Sequence, residues 1–413
     1  MPSTLTTIFR AMKYPNYRIF YFGQGVSLIG TWVQNIAMGW LVYRLTGSAL
    51  LLGTVAFAQQ IPSIVITPFA GVLADRYSRY KILIGLQFAA MAVAFILAAV
   101  VLKDRVSVPI IIILASVNGI VVAFDTPFRN AFVPDMISGR KDLNNAIALN
   151  SSLFNLARFI GPPIGGLLIA AFGEGWCFFI NGVSFLAVII SLFSMNIRSA
   201  EIIKKQKSFF NELKEGINYA FGEKPLRYLL LLVGMSSFFG LPFQALLPVF
   251  AADVLHGKSE MLGFLTGALG MGALTGAFYL AARQKFHTVP KTTFRAALIF
   301  SVCLAIFSLS SNLILSFLMM SFVGFGMIVL FNSTNSIIQI ISDEDKRGRV
   351  IALYSLSYMG ITPLGSLLVG LLSEYIGVPY TVFAFAVICM AGALLFGKNL
   401  PVIFRRVVRK TQY

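Results

Sequence analysis

Apolar runs of a length that can cross a bilayer, roughly 18 residues or more, recur along the whole chain with short polar breaks between them. They fall at 18–43, 49–73, 81–102, 108–134, 145–171 and 175–197, then at 227–252, 259–282, 292–310, 312–341, 349–373 and 377–399. The longest polar interval, 198–226, separates six runs from six. Within it Phe209, Phe210, Leu213, Ile217, Ala220 and Phe221 recur at helical spacing, with Glu212, Lys214 and Glu215 on the other side. That spacing predicts an amphipathic helix lying along the membrane surface. The pattern as a whole predicts an all-α integral membrane protein of twelve transmembrane helices. These divide into an N-terminal six-helix bundle over 1–197, a linker over 198–226 and a C-terminal six-helix bundle over 227–413.

The halves echo one another. Phe124-Asp125-Thr126 near the end of the fourth run has a counterpart in Phe331-Asn332-Ser333 of the tenth, and Pro163-Ile164-Gly165 of the fifth recurs as Pro363-Leu364-Gly365 of the eleventh. Such echoes fit two parallel halves related by an axis along the membrane normal. Glycines mark where backbones approach closely in lipid: Gly161, Pro162, Gly165 and Gly166 in the fifth run, and Gly263, Gly267, Gly270, Gly272 and Gly276 in the eighth.

Composition agrees, with 57% hydrophobic and 12% charged residues. The net charge of +17 would suggest nucleic acid in a soluble protein. Here about 27 of the 33 Lys and Arg fall on the termini and even-numbered loops, and about four on the odd-numbered loops. That asymmetry places both termini in the cytoplasm and removes the nucleic-acid reading. The N-terminal bases Arg10, Lys13 and Arg18 run into the first span without a small-residue cleavage site, so no removable signal peptide is expected. Cys177, Cys303 and Cys389 are scattered through separate runs, and His256 and His287 fall in loops. Neither a metal site nor a cofactor is expected, and no nucleophile–base arrangement suggests an enzyme. No phosphate-binding G-x-x-x-x-G-K-[ST] string is present, so the chain carries no nucleotide-driven pump of its own.

A charge deep in a span costs at least ~2.5–3.5 kcal/mol on insertion scales, so Asp125, Arg129 and Arg158 are the chemical candidates. Asp125 and Arg129 lie four residues apart on one helix face. They either lock the helix as a neutral pair, or Asp125 takes up a proton and releases Arg129. At 1.5 Å per residue Asp125 sits roughly 25 Å from the outer end of its span. Arg158, near mid-membrane, serves either as a docking group for an anionic or carbonyl-bearing substrate or as a structural partner for Asp125. Polar side chains at comparable depths are Gln34, Asn35, Asn155, Gln244, Asn332 and Asn335; Tyr354 and Tyr358 could join them, against an apolar wall of Phe238, Phe239 and Phe243. Each amide alone serves equally well as an interhelical hydrogen bond.

The stretch from Gly71 to Lys81 joins the second and third spans and packs Asp75, Arg76, Arg79 and Lys81 into one turn. It is similar to the G-x-L-A-D-R-x-x-R-R/K loop of the major facilitator superfamily, matching at Gly71, Leu73, Ala74, Asp75, Arg76, Arg79 and Lys81, with Tyr80 in place of a base. Gly71 would admit a neighbouring backbone and Asp75 would face the start of the eleventh span near Gly348 to Ile351. The resemblance implies a gate in which Arg79 pairs with Asp135; the residues alone leave Asp125 open as the alternative partner. Gly161 to Gly166 is similar to the fifth-helix G-P-x-x-G-G pattern that the superfamily associates with proton-exchanging exporters. Leu45-Thr46-Gly47-Ser48, Asp125-Thr126-Pro127-Phe128-Arg129 and Lys214-Glu215-Gly216-Ile217-Asn218-Tyr219 extend the resemblance to bacterial exporters of the enterobactin and macrolide efflux group. The resemblance implies a monomeric carrier in a bacterial inner membrane, in contact with lipid. It would export an amphipathic small molecule, siderophore or drug-like, by proton antiport. An uptake carrier or facilitator on the same fold is the alternative, and a transport-inactive sensor a third.

Overall fold

The computed structural model describes residues 9–74, 76–196, 209–282 and 288–411. All regular structure among them is helical. The long helices are α1 (Pro15–Thr46), α2 (Ala49–Ala74), α3 (Arg79–Leu102), α4 (Val108–Phe132), α5 (Arg140–Phe172) and α6 (Glu174–Phe193). A shorter α7 (Phe209–Gly222) precedes α8 (Lys224–Val254), α9 (Ser259–Ala281), α10 (Val289–Leu309), α11 (Leu313–Ile341), α12 (Arg347–Ile376) and α13 (Val378–Lys398), and α14 (Leu400–Thr411) follows. Eleven of these helices are long and apolar enough to cross a membrane. The expected first span, α1, has the length at 32 residues but is diluted by Asn16, Arg18, Gln24, Gln34 and Asn35.

The chain divides into two compact units. Unit 1 takes the described residues of Met1–Leu45, Ala58–Lys205 and Lys258–Gly263; unit 2 takes those of Thr46–Phe57, Gln206–Gly257 and Phe264–Tyr413. The opening turns of α2 therefore pack within unit 2, and the opening residues of α9 within unit 1.

Unit 1 is centred on Tyr17, Phe20, Leu83, Phe128, Phe132 and Leu192, all nearly or wholly inaccessible. The Tyr17 hydroxyl donates 3.0 Å to the Ala146 carbonyl, so this buried phenol keeps a partner. Glycines set the approach of α5. A Cβ on Gly161 would lie 2.5 Å from the Trp32 Cβ, and one on Gly165 would lie 3.2 Å from the Val33 Cα. At Gly166 it would meet the Ser259 carbonyl at 2.6 Å and the Gly263 Cα at 3.0 Å. With little hydrophobic drive between helices in lipid, this backbone-to-backbone packing supplies the contact instead.

In unit 2 the α9–α11 crossing is of the same kind: side chains at Gly272 or Gly324 would run into the backbone at Ser321 or Leu269. Its core packs Phe250 against Phe307 at a tilt, with ring centroids 4.7 Å apart. The helix α8 is irregular, with π-helical turns at Ser236–Gly240 and Phe250–Val254 and a 3-10 stretch at Leu241–Leu246. Pro242 and Pro248 bring no N–H to the helical ladder, so the local hydrogen bonding re-registers around them. Helix α12 carries a matching π-helical turn at Leu356–Gly360, just before Pro363.

At the end of unit 2 where α7 finishes, Asp343 gathers three elements. It accepts from the Tyr219 hydroxyl of α7 at 3.0 Å and from the Lys410 ammonium of α14 at 2.8 Å, while Lys346 lies over the Tyr219 ring at 4.6 Å. Unit 1 repeats the device, with Asp142 of α5 accepting from the Tyr14 hydroxyl at 2.8 Å and pairing with Lys13 at 2.7 Å. Lys410, then Tyr219, holds the Asp343 carboxyl below the ordinary carboxylate range. A depressed acid stabilises the fold above its ordinary pKa of about 4 and loses that contribution as the pH falls through its folded value. Asp343→Asn is therefore expected to lower thermal stability at neutral pH by the equivalent of about 0.5 kcal/mol, as for other half-exposed pairs. The difference from wild type should narrow as the pH falls below about 4; melting curves at pH 7 and pH 3 check both halves, and a gap as wide at pH 3 as at pH 7 counts against an electrostatic clamp.

The apolar face expected of α7 is divided in the structure. Gly216 and Ala220 are buried, Gly216 against Arg349, which also pairs with Glu215. Ile217 and Phe221 stay 40% and 45% exposed, and the side chains of Phe209, Phe210 and Leu213 lie outside the described residues.

Candidate functional site

Three arrangements in unit 1 carry charge into or beside the spans. The first is Arg79, at the head of α3. Its Nε donates 2.9 Å to the Ala74 carbonyl at the end of α2, and its Nη1 donates 3.1 Å to the Ala131 carbonyl near the end of α4 and 3.0 Å to Asp135 Oδ1. Helix C-termini leave unpaired carbonyls at the negative end of the dipole. One guanidinium serves two of them and neutralises an acid. Of the two partners left open for Arg79, the geometry selects Asp135. Arg76 is exposed in the turn, and Asp75 lies outside the described residues. No described heavy atom comes within 4 Å of where a Gly71 Cβ would stand.

The second arrangement centres on Asp125. Its Oδ2 faces Arg129 Nη1 at 3.5 Å on the same face of α4, and its Oδ1 accepts from Gln87 Nε2 of α3 at 2.8 Å. The acid is 14% and the base 21% exposed, so both sit in a largely dry environment. Arg158 does not join them. Its guanidinium lies over the rings of Trp32 at 5.3 Å and Phe154 at 5.6 Å, an aromatic cradle that is the third arrangement. Flat guanidinium on flat ring is a favourable cation–π geometry that strengthens where water is scarce.

Several amides expected to line a pocket are spent on the fold. Gln34 accepts from Asn181 at 2.8 Å with both side chains buried. Asn155 donates to the Ser151 carbonyl one turn back at 2.9 Å, and Asn335 accepts from Gln339 at 2.9 Å. The Tyr354 hydroxyl donates 2.9 Å to the Phe331 carbonyl, and Tyr358 stacks on Tyr354 and meets Phe331 at a tilt. An amide or phenol in apolar surroundings costs free energy unless bonded; another helix supplies the partner for Gln34 and Tyr354, and a residue one turn away on the same helix does so for Asn155 and Asn335. Asn35, with Gln59 at 3.5 Å, and Gln244, near the Met327 sulfur at 4.0 Å, are more loosely held; Asn332 is exposed.

Unit 2 holds an apolar cavity of about 300 Å³. Leu231, Met235, Phe238 and Phe239 of α8 face Ser357 and Ile361 of α12 across it, and Phe221 of α7 completes the wall. The Ser236–Gly240 turn of α8 and the Leu356–Gly360 turn of α12 contribute to this wall, and a π-helical turn often marks a functional position. Of the apolar wall expected, Phe238 and Phe239 line this cavity, whereas Phe243 is buried edge-on against Phe307; the Phe239 ring meets Phe385 edge-on at 5.1 Å.

Gln87, Trp32 and Phe154 were not foreseen. Gln87 was detectable by the same signal as Gln34, an amide inside an apolar run; the two aromatics had no such signal.

A family model described as transmembrane secretion effector matches residues 6–406. The staphyloferrin A transporter of Staphylococcus aureus is 23% identical over 387 residues, covering 92% of this chain and 95% of that protein. Macrolide efflux protein A of Streptococcus pyogenes is 28% identical over 279 residues, covering 64% of this chain and 68% of that protein. Among solved structures, a bacterial homolog of the human lysosomal transporter Spinster, in an inward-facing and unoccupied conformation, superposes with a TM-score of 0.73. It is 15% identical and covers 96% of this chain and 97% of that one.

Proposed function

Because the chain belongs to the transmembrane secretion effector family of major facilitator transporters, we propose that it exports an amphipathic small molecule in exchange for protons, by alternating access. The observation that carries the reading is Asp125: a carboxylate inside a span, held by one amide and one guanidinium. A carboxyl so placed is costly to the fold unless its charge is used. Protonation removes its attraction for Arg129 and changes the electrostatics of α4, so proton uptake can bias one conformation over another. The related proteins named for staphyloferrin A transport and macrolide efflux support a substrate with polar anchors on an apolar body. Within unit 2 the cavity walled by Phe238 and Phe239 suits the apolar body of such a substrate; within unit 1 the Arg158 guanidinium, over Trp32 and Phe154, is a candidate contact for a carboxylate or carbonyl. We place the Arg79–Asp135 contact at the cytoplasmic end, where it pins the turn bearing Arg76, and assign the protein to a bacterial inner membrane with cytoplasmic termini, as a monomer. The domain division we propose remains 1–197, 198–226 and 227–413.

The test is flux of labelled siderophore and macrolide probes in proteoliposomes of known orientation under an imposed pH gradient. Export predicts movement of substrate against the proton flow, and loss of accumulation when a protonophore collapses the gradient. Movement down its own gradient with no response to pH favours a facilitator; accumulation in the direction of proton flow favours uptake.

A further inference from the structure

The amide that holds Asp125 has an unused half. Gln87 is 5% exposed; its Nε2 donates to Asp125 Oδ1 at 2.8 Å, while its Oε1 is buried and receives no hydrogen bond. A buried acceptor without a donor carries a cost comparable to a lost hydrogen bond. Asp125 meets two polar groups: this amide from α3 and, on its own helix, the Arg129 guanidinium at 3.5 Å. No other charged or titratable side chain among the described residues bonds or pairs with it.

The two protonation states of a carboxyl ask opposite things of a neighbour. Ionised, it only accepts, and needs an N–H. Protonated, it has an O–H to donate, and needs an oxygen. A primary amide presents either group from nearly the same volume, because half a turn about its last torsion exchanges Oε1 with the NH2 group.

We propose that Gln87 is the positioning residue for the proton on Asp125, donating through Nε2 to the carboxylate and rotating to accept through Oε1 from the acid. The inference rests on the reading of Asp125 as the proton carrier. A hydronium ion gives its proton to a carboxylate oxygen and leaves as water; the amide turns over, exchanging its Nε2–H···Oδ1 hydrogen bond for one from the new O–H to Oε1, and no other covalent bond changes. Asp125 keeps a hydrogen bond in both states, whereas Arg129 loses the charge it faces. The amide dipole reverses in the dry space between α3 and α4, which carries the protonation state onto the second helix.

Infrared difference spectra of the full-length protein in lipid, titrated from pH 4 to pH 10, read the carbonyl band of a protonated carboxylic acid directly; Asp125→Asn assigns it. Gln87→Leu is expected to raise the midpoint by about one pH unit, a tenfold tighter proton, because the charged form loses a charge-assisted donor. The band should also move, since the O–H then has no amide acceptor. Gln87→Glu keeps the size and shape of the side chain, and carries the test if the leucine variant does not fold. It should titrate in two steps, one above the wild-type midpoint, as two acids sharing a proton do. A midpoint and band unchanged in both variants would overturn the role of Gln87 and leave Asp125 as the carrier. Absence of any Asp125-dependent band in the wild type overturns both.

Discussion

Asp125→Asn is expected to leave a folded, inserted carrier that has lost its response to a pH gradient. Asparagine matches aspartate in size and can still bond the Gln87 amide, but it takes up no proton. Each proton coupled to transport converts a gradient of one pH unit into about 1.4 kcal/mol, or tenfold in the accumulation ratio. Wild-type protein should therefore change its substrate ratio about tenfold per pH unit for each proton exchanged, and Asp125→Asn by none. Exchange of labelled for unlabelled substrate, which needs no net proton movement, should persist. Asp125→Glu, which keeps the acid one methylene further out, should restore part of the pH response. If Asp125→Asn keeps the wild-type dependence, the proton travels elsewhere and the Asp125–Arg129 pair is a structural lock.

Arg79→Ala should cost at least tenfold in transport while the protein still inserts. One side chain serves the Ala74 and Ala131 carbonyls and the Asp135 carboxylate, and is 26% exposed, against 15% for the acid. Hydrogen bonds to charged groups are worth about 1.5–3 kcal/mol where water is largely excluded, so losing this set loosens the turn relative to α4. Arg79→Lys should recover only part of the activity, because a single ammonium cannot reach three acceptors set by a planar fork. Flux per inserted molecule, beside a thermal melt, separates a failed turn from a failed fold. Full transport by the alanine variant, at unchanged stability, would remove Arg79 and Asp135 from the mechanism.

Much of this was legible in one dimension. Span length and hydropathy are local properties, so the helices appear where the runs lie, and only α1, rich in amides, falls short in apolar character. Asp125 and Arg129 are four residues apart, and any helix puts them together; the structure keeps them at 3.5 Å. The glycines of α5 forecast close packing because a missing Cβ permits approach whichever helix arrives, and Trp32, Val33 and the start of α9 are what arrived.

The remainder depended on how helices are rotated against one another. Gln34 and Asn35 are adjacent in sequence, yet one is buried against Asn181 and the other reaches toward Gln59. Arg158 carried two readings, substrate dock or partner to Asp125, and the fold set it on Trp32 and Phe154. Apolar periodicity, charge placement and the Gly71 to Lys81 motif by themselves determined a many-helix membrane carrier, because each depends on neighbours a few residues away. Tertiary structure alone decided that Arg79 caps two helices and pairs with Asp135, that Gln87 meets Asp125, and that a cavity opens beside Phe239. Those contacts span tens of residues, and a change of about 100° in the facing of one helix, a single residue of register, would exchange every partner.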